Sequence, residues 1–477
     1  MRRLRSVSRF TAQKPVHSVA ALPIVGLAVA VLGLGLSACG HAPPVAGEPH
    51  AVSTSNAVAS GARGFAGHGR LAYVSGNRLY ILDGTVAGQP AALHPVATGK
   101  VPGDLAWSPD GKWLAFLVGV PTADGSVTAG QLWLTGPDGQ DAHPVLAGSG
   151  AFAWSPTADV LAAISGGSLD TIVAGQAPRP VFSTAGLTGT PAWSPNGATI
   201  AVSVVHFTAS KGFAGSDIEL ATSGKGDWAV TPLARSASDA LLVDGWWTDG
   251  VFAWSDPQDS QSLAADGVPL VAYSLAGKAV TLPRTLVHPA FAAADANGVT
   301  IVTGGDRYLW NAKTFEGCSP AGACGPIIDA TPDPVNLDPA WGPWVDGEPT
   351  VAFVHAAPET TTSFSQAVLA AWYKTRQLWL WYGTGANPYQ VAGAGTGIAA
   401  PTWAANGKFI LYVRDNALWL IDPYGGRVES TPGHPARSGG PVVRVVGQLF
   451  TGAWPDYYGY TDWQSQFAWY TGKVTVS

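Results

Sequence analysis

The sequence predicts an all-β chain assembled from repeated four-stranded units, and three observations carry that expectation. The first is a phrase in which an aromatic precedes a turn and an apolar strand: Trp107-Ser108-Pro109-Asp110-Gly111-Lys112-Trp113-Leu114-Ala115-Phe116. Degenerate copies stand at Trp154-Ser155-Pro156, Trp193-Ser194-Pro195-Asn196-Gly197 and Trp403-Ala404-Ala405-Asn406-Gly407-Lys408. The second is Leu-Trp-Leu, at Leu132-Trp133-Leu134, Leu378-Trp379-Leu380 and Leu418-Trp419-Leu420, and more loosely at Leu79-Tyr80-Ile81. The third is composition. Charged residues make up 12% of the chain, about half of the ~25% usual in globular proteins, while 59 Gly, 37 Pro and 20 Trp supply turns and large apolar surfaces. Two motifs recurring in one order at roughly 40–50 residues mean stacked copies of a single supersecondary unit.

The chain opens on a segment that reads as an address. Arg2, Arg3, Arg5, Arg9 and Lys14 form a basic start, and Val19 to Leu36 is apolar, broken only by Pro23 and glycines. The stretch ends in Leu36-Ser37-Ala38-Cys39-Gly40. This resembles the bacterial lipobox, in which small residues precede a cysteine whose thiol takes a diacylglyceryl group before cleavage. Residues 1–38 are therefore expected to be a lipoprotein signal peptide, excluded from the fold, with Cys39 lipidated. An ordinary signal peptide or a membrane anchor is the alternative, since the apolar run is borderline in length for a span. Residues 39–66 are rich in Pro, Ala, Gly and Ser without apolar periodicity and read as a flexible tether; residues 67–477 form the folded domain.

Five of the 26 basic residues lie in that leader, so 21 Lys and Arg remain against 32 Asp and Glu, a balance of −11. Nucleic-acid binding, which needs clustered basic residues, is excluded on that balance. Charge gives no attraction to anionic lipid either, so the membrane would be met through the N-terminal lipid. The expected location is extracytoplasmic, anchored to the cell membrane.

Within the domain each unit reads as four strands. A first strand ends in Trp, and a Ser-Pro-Asp-Gly turn follows, with Pro presetting φ and Gly closing it. The second strand is apolar, the third carries Leu-Trp-Leu, and a polar fourth follows a glycine turn such as Asp138-Gly139. Units start near 67, 101, 149, 187, 238, 288, 335 and 397. The fifth uses Trp246-Trp247 or Trp254, the sixth Phe291 and the seventh Trp341. The first unit lacks its opening strand, while the C-terminal stretch 441–477 has strand-like pieces to spare. A ring closed by a C-terminal strand leaves no exposed edge, which predicts a β-propeller of four-stranded blades, eight preferred and seven next. The best helical candidate, Ser365 to Lys374, is a short insertion in the seventh unit.

The phrase Trp-Ser-Pro-Asp-Gly-Lys-x-Leu-Ala-Phe followed by Leu-Trp-Leu resembles the repeat of TolB-type, WD-like β-propellers. The likeness is strongest in the second unit and covers most of residues 67–435. It implies a binding propeller of the bacterial envelope; the motif specifies a blade and not a ligand.

Of the two remaining cysteines, Cys318 and Cys324 stand six apart and are expected to pair in an oxidising compartment, closing a loop too short to add more than about 2–3 kcal/mol. A metal site is the alternative, but no second pair or nearby His supports it. The blade tryptophans are expected as core between sheets. One aromatic run departs from the repeat, Trp454-Pro455-Asp456-Tyr457-Tyr458-Gly459-Tyr460-Thr461-Asp462-Trp463. Its rings and carboxylates suit carbohydrate or peptide recognition, making Asp456, Tyr457, Tyr458, Tyr460, Asp462 and Trp463 the candidate ligand-binding residues; packing at the ring's closure is the plainer role. Trp372-Tyr373 and Trp381-Tyr382 form a second candidate. No Gly-x-Ser-x-Gly or His-Glu-x-x-His occurs, and the ten histidines are scattered singly, so no catalytic residue, cofactor or metal is expected. The reading is a protein-binding or scaffolding module with an envelope protein or glycan as partner. Its alternatives are a solute- or glycan-binding lipoprotein serving a transporter or sensor, and an envelope enzyme acting on glycans at the ring's mouth.

Overall fold

The computed structural model describes residues 61–121, 127–209, 212–257, 268–285, 292–294, 297–303, 315–327, 335–342, 350–357, 366–383, 387–425, 440–449 and 462–472. The described chain is nearly all strand, and it is a β-propeller. Six sheets have four strands and one has seven. The seven-stranded sheet holds two repeats, because the long strand His143–Trp154 pairs with the second unit through its first half and with the third through its second half, pivoting at Ser149. Grouped by repeat, the strands of the described residues fall into eight four-stranded sets within seven hydrogen-bonded sheets.

Each strand sends alternate side chains to opposite faces, and here both faces are covered. In the strand Leu114–Pro121, Leu114, Phe116 and Val118 join a buried cluster with the first unit, whereas Ala115 and Leu117 join one with the third. Eight such clusters run from seam to seam, and the eighth joins the last unit to the first, with Leu411, Val413 and Leu418 against Leu71, Tyr73 and Phe467. The ring is closed by the C-terminus: the strand Phe467–Tyr470 pairs antiparallel with Gly69–Ser75 and supplies the strand missing from the first unit.

The repeat turn forms for a local reason. In the second unit Ser108 Oγ donates to Asp110 Oδ1 at 2.8 Å and accepts from Trp113 N, while Asp110 Oδ1 accepts from Lys112 N at 2.9 Å. The fourth unit repeats the pattern with Ser194, Asn196, Ala198 and Thr199. Gly111 takes φ +70°, and a Cβ there would meet the Tyr470 ring at 2.2 Å, so glycine is required twice over.

At five seams the tryptophan that opens the turn fastens neighbouring units, whereas Trp341 Nε1 is buried without a hydrogen-bond partner. Trp154 Nε1 donates to Ala106 O, Trp193 to Ala153 O, Trp246 to Ala192 O and Trp403 to Ala340 O, at 2.8–3.2 Å. Each acceptor is the residue just before the preceding unit's tryptophan, and Trp107 reaches Ala468, just before Trp469, in the same way. These bonds hold equivalent positions of successive units in register. Trp246, and not Trp254, is therefore the fifth unit's counterpart; Trp254 lies in the next strand, Gly250–Pro257. Phe291 lies outside the described residues.

The tether was expected to run to residue 66, but residues 61–66 pack against the domain. Residues 61–64 form a helical turn, Ala62 is buried, and Phe65 is 0% exposed in the closing cluster with Val445, Leu449, Trp463 and Phe467. The insertion of the seventh unit is the helix α1, Gln366–Tyr373. No helix among the described residues is long and apolar enough to cross a membrane.

Candidate functional site

Antiparallel succession places the first-to-second and third-to-fourth turns of every unit at one face, and the second-to-third and fourth-to-next connections at the other. The tryptophan bonds keep these faces in register at the five seams where they form. The first kind of turn is short in most units, as at 108–113 and 194–198. The second kind includes the helical insertion of the seventh unit and the 447–466 connection that carries the aromatic run. Loops on a rigid scaffold are where recognition concentrates, so the second face is the candidate functional face.

Two candidates picked separately from the sequence meet there. Tyr373, at the end of α1, packs on the closing cluster that contains Trp463, and the Trp463 side chain approaches its hydroxyl. Burial, with Asp338 adding to it and Arg376 opposing, pushes the Tyr373 hydroxyl up to about 12. Arg376 follows α1 and is 7% exposed. Its guanidinium lies 4.6 Å from the Trp372 ring and 4.4 Å from the Tyr373 ring, a cation–π arrangement that offsets the cost of burying charge. Trp372 Nε1 donates to Ala357 O at 2.9 Å.

Asp338 completes this junction. It is buried on the first strand of the seventh unit, and its Oδ2 accepts from Ala400 N of the eighth at 2.9 Å. Burial pushes its carboxyl up, against the Arg376 charge and the Ala400 hydrogen bond. First strands of neighbouring units lie against one another, so they are the innermost strands. Asp104, Asp244 and Asp338 all sit at bulges in them. Asp244 is exposed at its own surface yet hemmed in by protein, and desolvation lifts its carboxyl to about 6, with Trp254 hydrogen-bonded against the shift.

The other candidate residues have structural places. Asp462 caps a 3-10 turn over Trp463–Ser465, accepting from Ser465 N, and Trp463 is buried. In the described residues Asp462 is thus a cap and Trp463 part of the closing cluster. Asp456, Tyr457, Tyr458 and Tyr460 lie outside the described residues, as does Cys39. Trp381 and Tyr382 are buried near the far end of their strand, away from Trp372 and Tyr373. Cys318 and Cys324 are disulfide-bonded across a hairpin. Together with Glu316 they form the one trio of metal-type ligands among the described residues, but both sulfurs are committed to the bond. His206 and Arg235 bind the two oxygens of Asp217 at 2.7 Å each, and His355 meets Asn336 at 2.9 Å. No nucleophile stands in either group.

A groove of about 610 Å³ opens on the same face between the first and second units. Arg78, Lys100, Asn77 and Thr98 line it together with backbone of the loop 97–101, and no carboxylate does. Sequence reasoning missed it, because its cations come from two turns of unremarked composition.

No protein-family model matches this chain, and no curated protein matches it. Solved structures to which it is similar include a eukaryotic initiation factor, with 12% identity and a TM-score of 0.47 over 81% of this chain and 90% of that one. TolB from Acinetobacter baumannii matches at 13% identity and TM-score 0.34, over 78% and 80%. The β-propeller domain of the Trilobed protease from Pyrococcus furiosus matches at 10% and 0.38, over 68% and 94%. At such distances no residue role passes from them to this chain.

Proposed function

We propose that this protein is a TolB-type propeller lipoprotein of the cell envelope, tethered through Cys39, which docks a protein partner on the face bearing the second-to-third and fourth-to-next connections. The observation that carries the reading is the groove between the first and second units. In a mature chain with a balance of −11, a groove lined by Arg78 and Lys100 without a carboxylate suits an extended acidic segment. Complementary charge sets partner choice and encounter rate. The aromatic junction around Tyr373 and Trp463 lies on the same face, at the seventh and eighth units.

The test is recovery of the intact protein from mildly solubilised membranes, with a Cys39→Ala control and the double variant Arg78→Glu, Lys100→Glu. A stoichiometric protein that co-purifies with the wild type, weakens with salt and is lost from the charge-reversed variant supports the reading. A protein recovered alone, or a partner indifferent to the reversal, rejects it. Cys39→Ala should leave the membrane fraction; retention there rejects the lipid anchor.

A further inference from the structure

We propose that the seam between the fourth and fifth units binds one uncharged sugar ring. The site lies on the face opposite the groove and stands or falls independently of the docking role.

Its origin is a departure from the repeat. The first residue after the turn is Trp113 in the second unit, Val160 in the third and Phe409 in the eighth; in the fourth it is Thr199. Trp113 packs on the cluster between the second and third units, and Phe409 on the closing cluster. Thr199 is too small to fill that volume, and a cavity of about 240 Å³ opens there, lined by Asn196, Thr199, Thr222, Trp246, Thr248 and Leu275 among others. The rim changes in the same direction. The second unit pairs Asp110 with Lys112 at 2.6 Å, whereas the fourth has Asn196 and Ala198 in those places, and no charged residue lines the cavity. At the preceding seam the equivalent tryptophan, Trp193, is met edge-on by Trp228 at 6.3 Å.

The lining has the two halves a pyranose needs. A sugar presents apolar C–H faces and a belt of hydroxyls that both donate and accept. Trp246 supplies a fixed aromatic wall, its indole held by Ala192 O at 2.8 Å, and Leu275, 53% exposed, adds open apolar surface. The hydroxyls of Thr199 and Thr222 stand 3.2 Å apart, each able to donate and accept. The carboxamide oxygen of Asn196 is engaged by Ser194 Oγ and Ala198 N, which leaves its NH2 as donor. A charged ligand would find no counter-ion. The volume is below the ~300–1,000 Å³ of sites for drug-sized ligands, so one ring fills it.

The test is titration calorimetry of the purified full chain with the methyl α-D-glycosides of glucose, galactose and mannose, and with glucuronate as the charged counterpart. At least one neutral glycoside should saturate at millimolar concentrations and perturb tryptophan fluorescence, with glucuronate weaker by about tenfold or more. Thr199→Phe, which installs the residue of the eighth unit, should abolish binding with an unchanged unfolding midpoint. Should that variant unfold, Thr222→Val, which removes one exposed hydroxyl at constant volume, should weaken binding about tenfold. Failure of all three neutral probes to saturate, glucuronate binding as tightly as they do, or affinity unchanged in the folded variants would overturn the assignment.

Discussion

The closing seam, between the eighth unit and the first, and the seam between the fourth and fifth units share one backbone and differ in what fills it. At the closing seam the chain adds material: Phe65 from before the first strand, and Leu449, Trp463 and Phe467 from after the last unit, all buried together. At the other seam the repeat's turn and its tryptophan-to-carbonyl bond are kept, where the closing seam instead has Trp469 Nε1 donating to His68 O, and Thr199 leaves space. The repeat thus separates two jobs. The turn and the indole bond hold units in register, and the side chain after the turn decides whether a seam is core or cavity.

That contrast can be tested through graded substitutions. Phe65→Ala should cost about 3–5 kcal/mol in urea unfolding, as large-to-small core changes do, whereas Leu275→Ala at the open seam should stay within about 0.5 kcal/mol; similar losses would erase the distinction. Asp338→Ala leaves Ala400 N buried without its acceptor and should cost about 1–3 kcal/mol, with Asp338→Asn recovering part of it because a carboxamide oxygen still accepts. Trp246→Phe, which removes the bond to Ala192 O together with part of the indole's packing surface, should cost at least about 0.5–1.5 kcal/mol.

Asp244 gives a pH-dependent comparison. Its carboxyl sits at about 6 in the fold against 3.8 ordinarily, so between these values the folded state holds more protons than the unfolded one. The contribution of this group to stability is therefore full below about pH 4 and is lost as pH rises through 6. Asp244→Asn should raise the thermal midpoint at pH 7.5, leave it unchanged near pH 4 and flatten the slope between; a wild-type-like slope would refute this placement of the carboxyl. Solvent contact at its surface keeps the effect modest. Thr199→Val should be the smallest change, within about 0.5 kcal/mol, since the hydroxyl it removes is bonded at the surface to Thr222.

Much of this architecture was legible in the residues. The Trp-Ser-Pro-Asp-Gly copies located the first strands, because Ser108 and Asp110 specify their turn by local hydrogen bonds that need no tertiary context. The closing strand followed from one unit lacking a strand and one end having a spare. Phe65 was hidden because a single aromatic among Ala and Gly has no period; only the groove it fills reveals it. Asp462 and Trp463 stand out by residue type, and type alone does not reveal that one caps a local turn and the other packs in the closing cluster. The fourth-unit cavity did have a sequence signal: a threonine where other copies carry Trp113 or Phe409. It is visible only when copies are compared with one another and not with a consensus.

The strand Phe467–Tyr470 pairs with residues placed almost four hundred positions earlier, and this has a consequence for biosynthesis. The first unit can be completed only after every other unit has emerged, so the most non-local contact in the molecule is also among the last that can form. A chain ending before that strand leaves Gly69–Ser75 with a bare, apolar edge, which invites pairing with another chain. Truncated products would thus betray themselves by aggregating or by protease sensitivity, and the closed seam marks a chain whose last strand has been made.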